Sequence, residues 1–432
     1  MSAINRIILV GNGFDLAHSL ATKYEDFMSW YWDKWFAELR LCHKNTYSDD
    51  LCTCTIYDKS STWYSFLWSI INPLQPPKGR CFYEYLKKEK ETCTINHSPF
   101  MERVCQSIET KGWVDIENEY YRALNNEYFN RPKKLNKEFD IIKLNLIEYL
   151  TFIQKTEIND SIISQNLKKK MLAPIKEKEI AISARSQLID FIRNRYFGDN
   201  DLWDITISER LGWDKEEENI QAIRKFSKDW GEQITNLGIE SVIDNNVIPE
   251  VMLYPNRLML LNFNYTNTAD LYIPRGNDYE YWFPINHIHG ELKGNSNIIF
   301  GYGDELDDKY NNIVKLNNNE HLRNIKSIRY LESSNYRTML SFIESAPYQI
   351  YIMGHSCGNS DRTLLNTLFE HKNCVSIKPF YHQKEDGSDN YLDIIQNISR
   401  NFTNMKLMRD RVVNKAFCEL LSQRHSNLFK TI

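Results

Sequence analysis

The apolar residues of this chain follow two rhythms. Near the start, Arg6–Val10 (RIILV) is a short β-branched run that ends in Gly11-Asn12-Gly13. That is the pattern of a buried strand entering a tight turn. After Pro255 similar runs return at Leu258–Leu261, Ile285–Ile288, Ile298–Phe300, Gln349–Met353 and Val375–Phe380. Several lead into helical spacing, notably at Asp361–Glu370. Strands alternating with helices predict a parallel sheet. Between these ends the apolar step lengthens to three and four residues. Phe139, Ile142, Leu146, Leu150 and Ile153 predict an amphipathic helix over Asn136–Gln154. Phe14–Trp35, Ser61–Ile71, Phe100–Phe129 and Glu216–Leu237 also read as helices, the last stopped by Gly238. Glu179–Tyr196 reads as a strand followed by a helix. The economical fold is α/β: a Rossmann-like parallel-sheet core of residues 1–30 and 250–432, with a large, mostly helical insertion over 31–249.

Composition narrows the function classes. The 53 basic and 57 acidic residues give a net charge of −4, so no overall basic field drives nucleic-acid binding. No apolar run approaches the roughly 20 residues that span a bilayer. The first residues enter a strand pattern without a signal-peptide core. Nine cysteines are present without CxxC pairs, so we expect free thiols, a cytoplasmic protein and no bound metal.

The chemistry concentrates where apolar runs stop. LMLL runs into Asn262, Asn264, Thr266 and Asn267, and a second run stops at His287, Ile288, His289 and Gly290. Open α/β sheets deliver ligand-binding groups at such carboxyl ends. A neutral imidazole accepts a proton near pH 7, and an amide fixes a hydroxyl or water without ionising. Asn264 and His289 are therefore the expected catalytic pair. His287 lies deeper in its strand and reads as structural. Gly290 permits close approach beside His289.

Two small-residue turns flank this pair. Gly11-x-Gly13 opens a helix as a phosphate-binding turn does, but Leu16 stands where GxGxxG has its third glycine. No acidic residue ends a second strand near position 33, which disfavours a dehydrogenase. The plain alternative is a strand-to-helix turn in which Asp15 satisfies local amides. Gly354-His355-Ser356-Cys357-Gly358 is literally GxSxG, the nucleophile elbow of serine hydrolases. Its downstream partners would be Asp386, Asp389 or Asp393 and then His425. Alternatively, Ser356 and Asp361 line a ribose or phosphate, or Asn359 or Ser360 caps a helix with Asp361 at its positive end. Trp113, Asp115 and Glu117 (WVDIEN) lie on an expected helix. The two carboxylates there are two residues apart and do not share a face, so they read as an acidic surface.

GNGFDLAHSLATKYEDF at 11–27, WVDIEN at 113–118, NFNYT at 262–266, HIHGEL at 287–292 and GHSCGNSD at 354–361 together resemble the abortive-infection AbiH family of bacterial antiphage proteins. The likeness runs from the first strand to near residue 385. That family is in turn distantly similar to sirtuin-like NAD-consuming domains. The resemblance implies an antiphage effector with NAD as substrate, releasing nicotinamide as a glycohydrolase. It places Asn264 and His289 at the reaction, and Gly11, Asn12, Gly13, Asp15, Asn262, Thr266, Gly290, Gly354, Ser356 and Asp361 around the nucleotide. Three departures stand out: Thr266 replaces the Asp of an Asn-Tyr-Asp motif, Asp15 stands near where a Ser is common, and the zinc module of sirtuin deacetylases is absent. The implied partners are NAD or a related nucleotide, a phage-derived trigger and further copies of this chain, with self-association of the insertion restraining a toxic activity. The alternatives are a serine hydrolase using Ser356 and a non-enzymatic nucleotide-binding phage sensor.

Overall fold

The computed structural model describes residues 3–41, 45–57, 93–111, 115–198, 216–243, 247–274, 280–293, 297–384 and 386–421. The helix expected over Ser61–Ile71, together with Trp113 and His425, lies outside them. In chain order the described strands are β1 (Asn5–Val10), β2 (Thr46–Ser48), β3 (Cys52–Ile56), β4 (Cys93–His97), β5 (Leu258–Asn262), β6 (Ile285–His287), β7 (Tyr348–Met353) and β8 (Cys374–Phe380). The chain divides into two units. One holds Met1–Leu20, Ile158–Ile298 and Tyr330–Ile432, the other Ala21–Glu157 and Ile299–Arg329.

The first unit is an α/β, Rossmann-like core. Its five strands are all parallel, in the order β6-β5-β1-β7-β8. The chain steps outward from β1 through β5 to β6, then crosses to the far side for β7 and β8. The winding therefore reverses between β1 and β7, where open α/β sheets place their ligands. Every residue of β1, β5, β7 and β8 is buried. A sheet covered on both faces explains why these runs read as continuous apolar stretches rather than alternations. Ile8, Val10, Leu260 and Met353 share a core with Leu167, Phe191, Phe226 and Val242 from the segment before β5. Helix Asn335–Ser345 packs on β6, and helices Arg362–Glu370, Tyr391–Arg400 and Met405–Arg411 pack on β8.

The second unit carries helices Tyr24–Leu41, Pro99–Lys111, Ile116–Leu124 and Pro132–Glu157, and the antiparallel sheet β2-β3-β4. Its segment 31–157 is therefore not helical throughout. Residues 158–243, which the sequence reading grouped with the insertion, belong to the unit that holds the parallel sheet. No helix among the described residues is long and apolar enough to cross a membrane.

Three local expectations are corrected. Phe14–Trp35 is two helices, Asn12–Ala17 and Tyr24–Leu41, with Ser19 in the left-handed region at φ 63° between them. Ile298–Phe300 forms no strand. Glu179–Tyr196 opens with 3-10 turns at Glu177–Glu179 and Ile182–Ala184 instead of a strand. There the buried Glu179 carboxylate accepts from Lys378 Nζ at 2.8 Å and Tyr351 Oη at 3.0 Å, while Ile182 is 88% exposed. Anchoring Glu179 inward sets this segment, so the apolar alternation there marks no two-faced strand.

Candidate functional site at the carboxyl edge of the sheet

Four strand ends converge here. β1 and β7 end in the Gly11–Gly13 and Gly354 turns, which close directly on one another. Gly13 N donates to Gly354 O at 2.8 Å. A Cβ on Gly11 would stand 2.6 Å from His355 Cα, and one on Gly354, at φ +83°, would stand 2.1 Å from Phe14 N. These glycines are required because backbone meets backbone. The Gly13 amide, expected to face a phosphate, is engaged by a carbonyl. Gly290 has a similar reason: at φ +84° its Cβ would meet Asn297 O at 2.4 Å.

β5 and β6 are in register at Asn262 and His287. The Asn262 amide lies 3.2 Å from His287 Nδ1 and donates to Thr266 O at 3.0 Å, which folds the chain back after the strand. His287 Nε2 stands 3.3 Å from Asp270 Oδ2. Both ring nitrogens of His287 thus face protein groups.

His289, 3% exposed, occupies a different environment. Its Nδ1 stands 3.2 Å from Phe263 O, and its Nε2 stands 3.1 Å from Asp361 Oδ1 and 3.3 Å from Tyr330 Oη. A carbonyl can only accept, so Nδ1 carries a proton, and a carboxylate oxygen 3.1 Å from Nε2 is bonded to it through a second proton that Nε2 and Asp361 share. The second Asp361 oxygen lies 3.6 Å from His355 Nε2, while His355 Nδ1 accepts from Cys357 N at 3.0 Å. Phe263 packs against both imidazoles, with ring centroids 5.2 Å from His289 and 4.1 Å from His355. The sequence placed Asp361 at a ribose or phosphate and did not single out His355 or Tyr330. His355 lies inside a motif already quoted, but its link to Asp361 crosses from turn to helix and leaves no local spacing to read.

Asn264 is partly exposed. Its Nδ2 donates to Gly11 O at 3.0 Å and its backbone N donates to Asn262 Oδ1 at 3.0 Å. Asp15, 1% exposed, accepts from Thr266 Oγ1 at 2.6 Å. Burial pushes the Asp15 carboxyl up to about 6, against the stabilising hydroxyls of Thr266 and Thr268 and the amide of Asn264. Asp15 therefore acts from beneath the strand-end loop.

Ser356 is exposed, and among the described residues its hydroxyl has no hydrogen-bonded histidine or carboxylate. Of its expected partners, Asp389 bonds Lys415 Nζ at 2.7 Å and Asp386 accepts from Ser388. In the other unit, Asp115 caps helix Ile116–Leu124 through Asn118 N at 3.0 Å, and Glu117 is buried against Lys326 at 2.9 Å. Among the described residues, no group of three His, Cys, Asp or Glu side chains is arranged to hold a metal ion.

Comparisons with curated proteins and with solved structures each returned no significant match. A family model described as bacteriophage abortive infection AbiH matches residues 7–382, a span that runs from β1 through β8 and takes in Asn264, His289, His355 and Asp361. The chain belongs to the bacteriophage abortive-infection AbiH family.

Proposed function

We propose that the protein is an antiphage abortive-infection effector whose sheet-bearing unit is an NAD glycohydrolase. The carrying observation is the contact of His289 Nε2 with Asp361 at 3.1 Å beyond the end of β6, with the partly exposed Asn264 on the loop after the neighbouring strand β5. Cleaving the nicotinamide–ribose bond passes through an oxocarbenium-like state, and nicotinamide leaves as a neutral ring with little acid assistance. What the protein must supply is orientation of the ribose and removal of a proton from the attacking water or a ribose hydroxyl. Asn264 orients that group by accepting from it. The His289–Asp361 pair takes the proton, with the carboxylate offsetting the charge of the imidazole it is bonded to. Loss of NAD then halts the infected cell.

The test is to incubate purified protein with NAD, with and without lysate of phage-infected cells, and to follow nicotinamide. Release that disappears in Asn264→Ala and His289→Ala is the expected result. Absence of release under every trigger, with NAD intact in infected cells, overturns the reading. The serine-hydrolase alternative is checked in the same preparation with a fluorophosphonate probe, and no labelling of Ser356 is expected.

A further inference from the structure

The two ends of an asparagine amide are told apart when a neighbour can only donate or only accept. Asn262, fully buried at the end of β5, has both kinds of neighbour. A backbone N–H only donates, and Asn264 N donates to Oδ1 at 3.0 Å, so that end is the oxygen. The other end is the NH2 group. It donates to Thr266 O at 3.0 Å and stands 3.2 Å from His287 Nδ1. Both of its protons are thereby engaged, and Nδ1 is the acceptor of the second. The His287 proton then sits on Nε2, the nitrogen 3.3 Å from Asp270 Oδ2.

The loop after β5 is wrapped around this one amide, which holds the chain at Asn264 N and again at Thr266 O. The same loop carries two groups of the candidate site. One is Asn264, whose Nδ2 donates to Gly11 O at 3.0 Å. The other is the Phe263 carbonyl, which accepts from His289 Nδ1 at 3.2 Å. Phe263 N in turn donates to Val10 O at 2.9 Å, so the loop is tied to β1 as well. Asn262 and His287 are 25 residues apart, and the parallel pairing of β5 with β6 brings them into register.

We propose that His287 is a positioning residue for both groups: by accepting from the Asn262 amide at Nδ1 it fixes the loop 262–266, which places Asn264 and, through the Phe263 carbonyl, orients the His289 ring. What the positioned groups do rests on the glycohydrolase reading; the positioning itself rests on the hydrogen bonds. Without an acceptor at Nδ1, one N–H of the buried Asn262 amide has no partner, which is costly. The amide then turns to find one and releases Asn264 N or Thr266 O. A displacement of about 1 Å at a catalytic group lowers a rate by about 100-fold. The two histidines of HIHG thus have separate tasks: His289 takes part in the proton transfer, and His287 sets the loop that orients it.

The experiment uses full-length protein with 15N-labelled histidine, the His287 ring being assigned from the signal lost in His287→Asn. In the wild type at neutral pH, His287 is expected as the tautomer with Nδ1 bare and Nε2 protonated. A proton on Nδ1 overturns the proposal whatever the protein does with NAD, and this measurement decides even where a variant fails to fold. In His287→Leu, which removes the acceptor, the His289 ring signals are expected to move. Nicotinamide release from NAD is expected to fall about 100-fold in kcat with KM nearly unchanged. His287→Asn, whose Oδ1 accepts close to where Nδ1 does, is expected to restore the His289 signals and most of the rate. His289 signals that stay in place in His287→Leu, or an unchanged kcat beside an active wild type, overturn the positioning role and leave the glycohydrolase reading intact. If the tautomer and the His289 shift are as expected but the wild type never releases nicotinamide, the glycohydrolase reading fails and the positioning role stands.

Discussion

The protein buries acid–base pairs of two kinds, built to different rules, of which Glu117–Lys326 in the second unit and His289–Asp361 in the first are examples. In the second unit's pair both carboxylate oxygens are engaged. Glu117 Oε1 accepts from Gly301 N at 3.0 Å and Oε2 from Lys326 Nζ at 2.9 Å, with Lys326 1% exposed. A full-time charge meets a full-time charge. In the first unit, Asp361 divides its oxygens between two imidazoles, and His289 shares Nε2 between Asp361 and Tyr330. Here the partner is an imidazole, charged only when both ring nitrogens carry a proton. The first design fixes a segment in place. The second holds a proton where it can be moved. Burial alone does not separate them, but the partner's chemistry and the completeness of its hydrogen bonds do.

The strongest way to break this comparison is Asp361→Asn. An amide cannot stabilise an imidazolium, and it can turn an N–H toward Nε2. Nicotinamide release is expected to fall about 10⁴-fold, with a smaller change in thermal midpoint than at the other pair. Release within about ten-fold of the wild type would place His289–Asp361 among the merely structural pairs. The counterpart is Lys326→Met, which leaves Glu117 buried without its cation. Unfolding in urea is expected to lose about 3–5 kcal/mol, and Glu117→Leu combined with Lys326→Met to recover most of it. A single variant as stable as the wild type would mean that Glu117 is neutral or rehydrated, and the contrast would fail.

These two pairs also mark how far the sequence could be read. β1, β5, β7 and β8 were legible because strands buried on both faces leave dense apolar runs. The ends of those runs located Asn264 and His289. What local pattern could not carry was pairing across the fold. Glu117 and Lys326 are far apart in sequence, as are His289 and Asp361. Nothing in WVDIEN announces a buried lysine. The strand expected near Glu179 failed for the same reason, since its carboxylate answers to Lys378 and Tyr351. The small sheet was missed although Cys52 and Cys54 alternate with Thr53 and Thr55, both cysteines buried, which is the period of a half-buried strand. Residues 11, 13 and 354 were read as ligand-facing glycines. Their crowding against each other appears only once β1 and β7 are neighbours.

Asp15 sharpens the comparison, because it is a buried carboxylate with no cation at all. Its folded-state pKa of about 6 lies above the ordinary value of 3.8. The folded state therefore binds the proton more tightly than the unfolded state does. Stability falls as pH rises from about 4 to about 6, and the cost is fully present above that range. Asp15→Asn, which keeps the shape without the charge, is expected to be more stable than the wild type at pH 8 by about 3 kcal/mol. The difference should close as pH falls toward 4. Equal pH–stability curves would mean that Asp15 is not desolvated in solution. A gain in stability with a loss of activity would set it apart from the Glu117–Lys326 kind of pair.

The smallest expected effect comes from Asp115, two residues before Glu117 and inside the same motif. Its carboxylate caps the helix that carries Glu117 by accepting from Asn118 N at 3.0 Å. Removing such a cap costs about 1 kcal/mol. Asp115→Ala should lower the thermal midpoint slightly and leave nicotinamide release unchanged once measured below that midpoint. The prediction matters because WVDIEN is as recognisable a motif as those at the strand ends. If its first carboxylate only holds a helix end and its second only anchors a lysine, this motif records the folding of the second unit. A selective loss of activity in Asp115→Ala, without loss of stability, would instead make that unit a participant in the reaction.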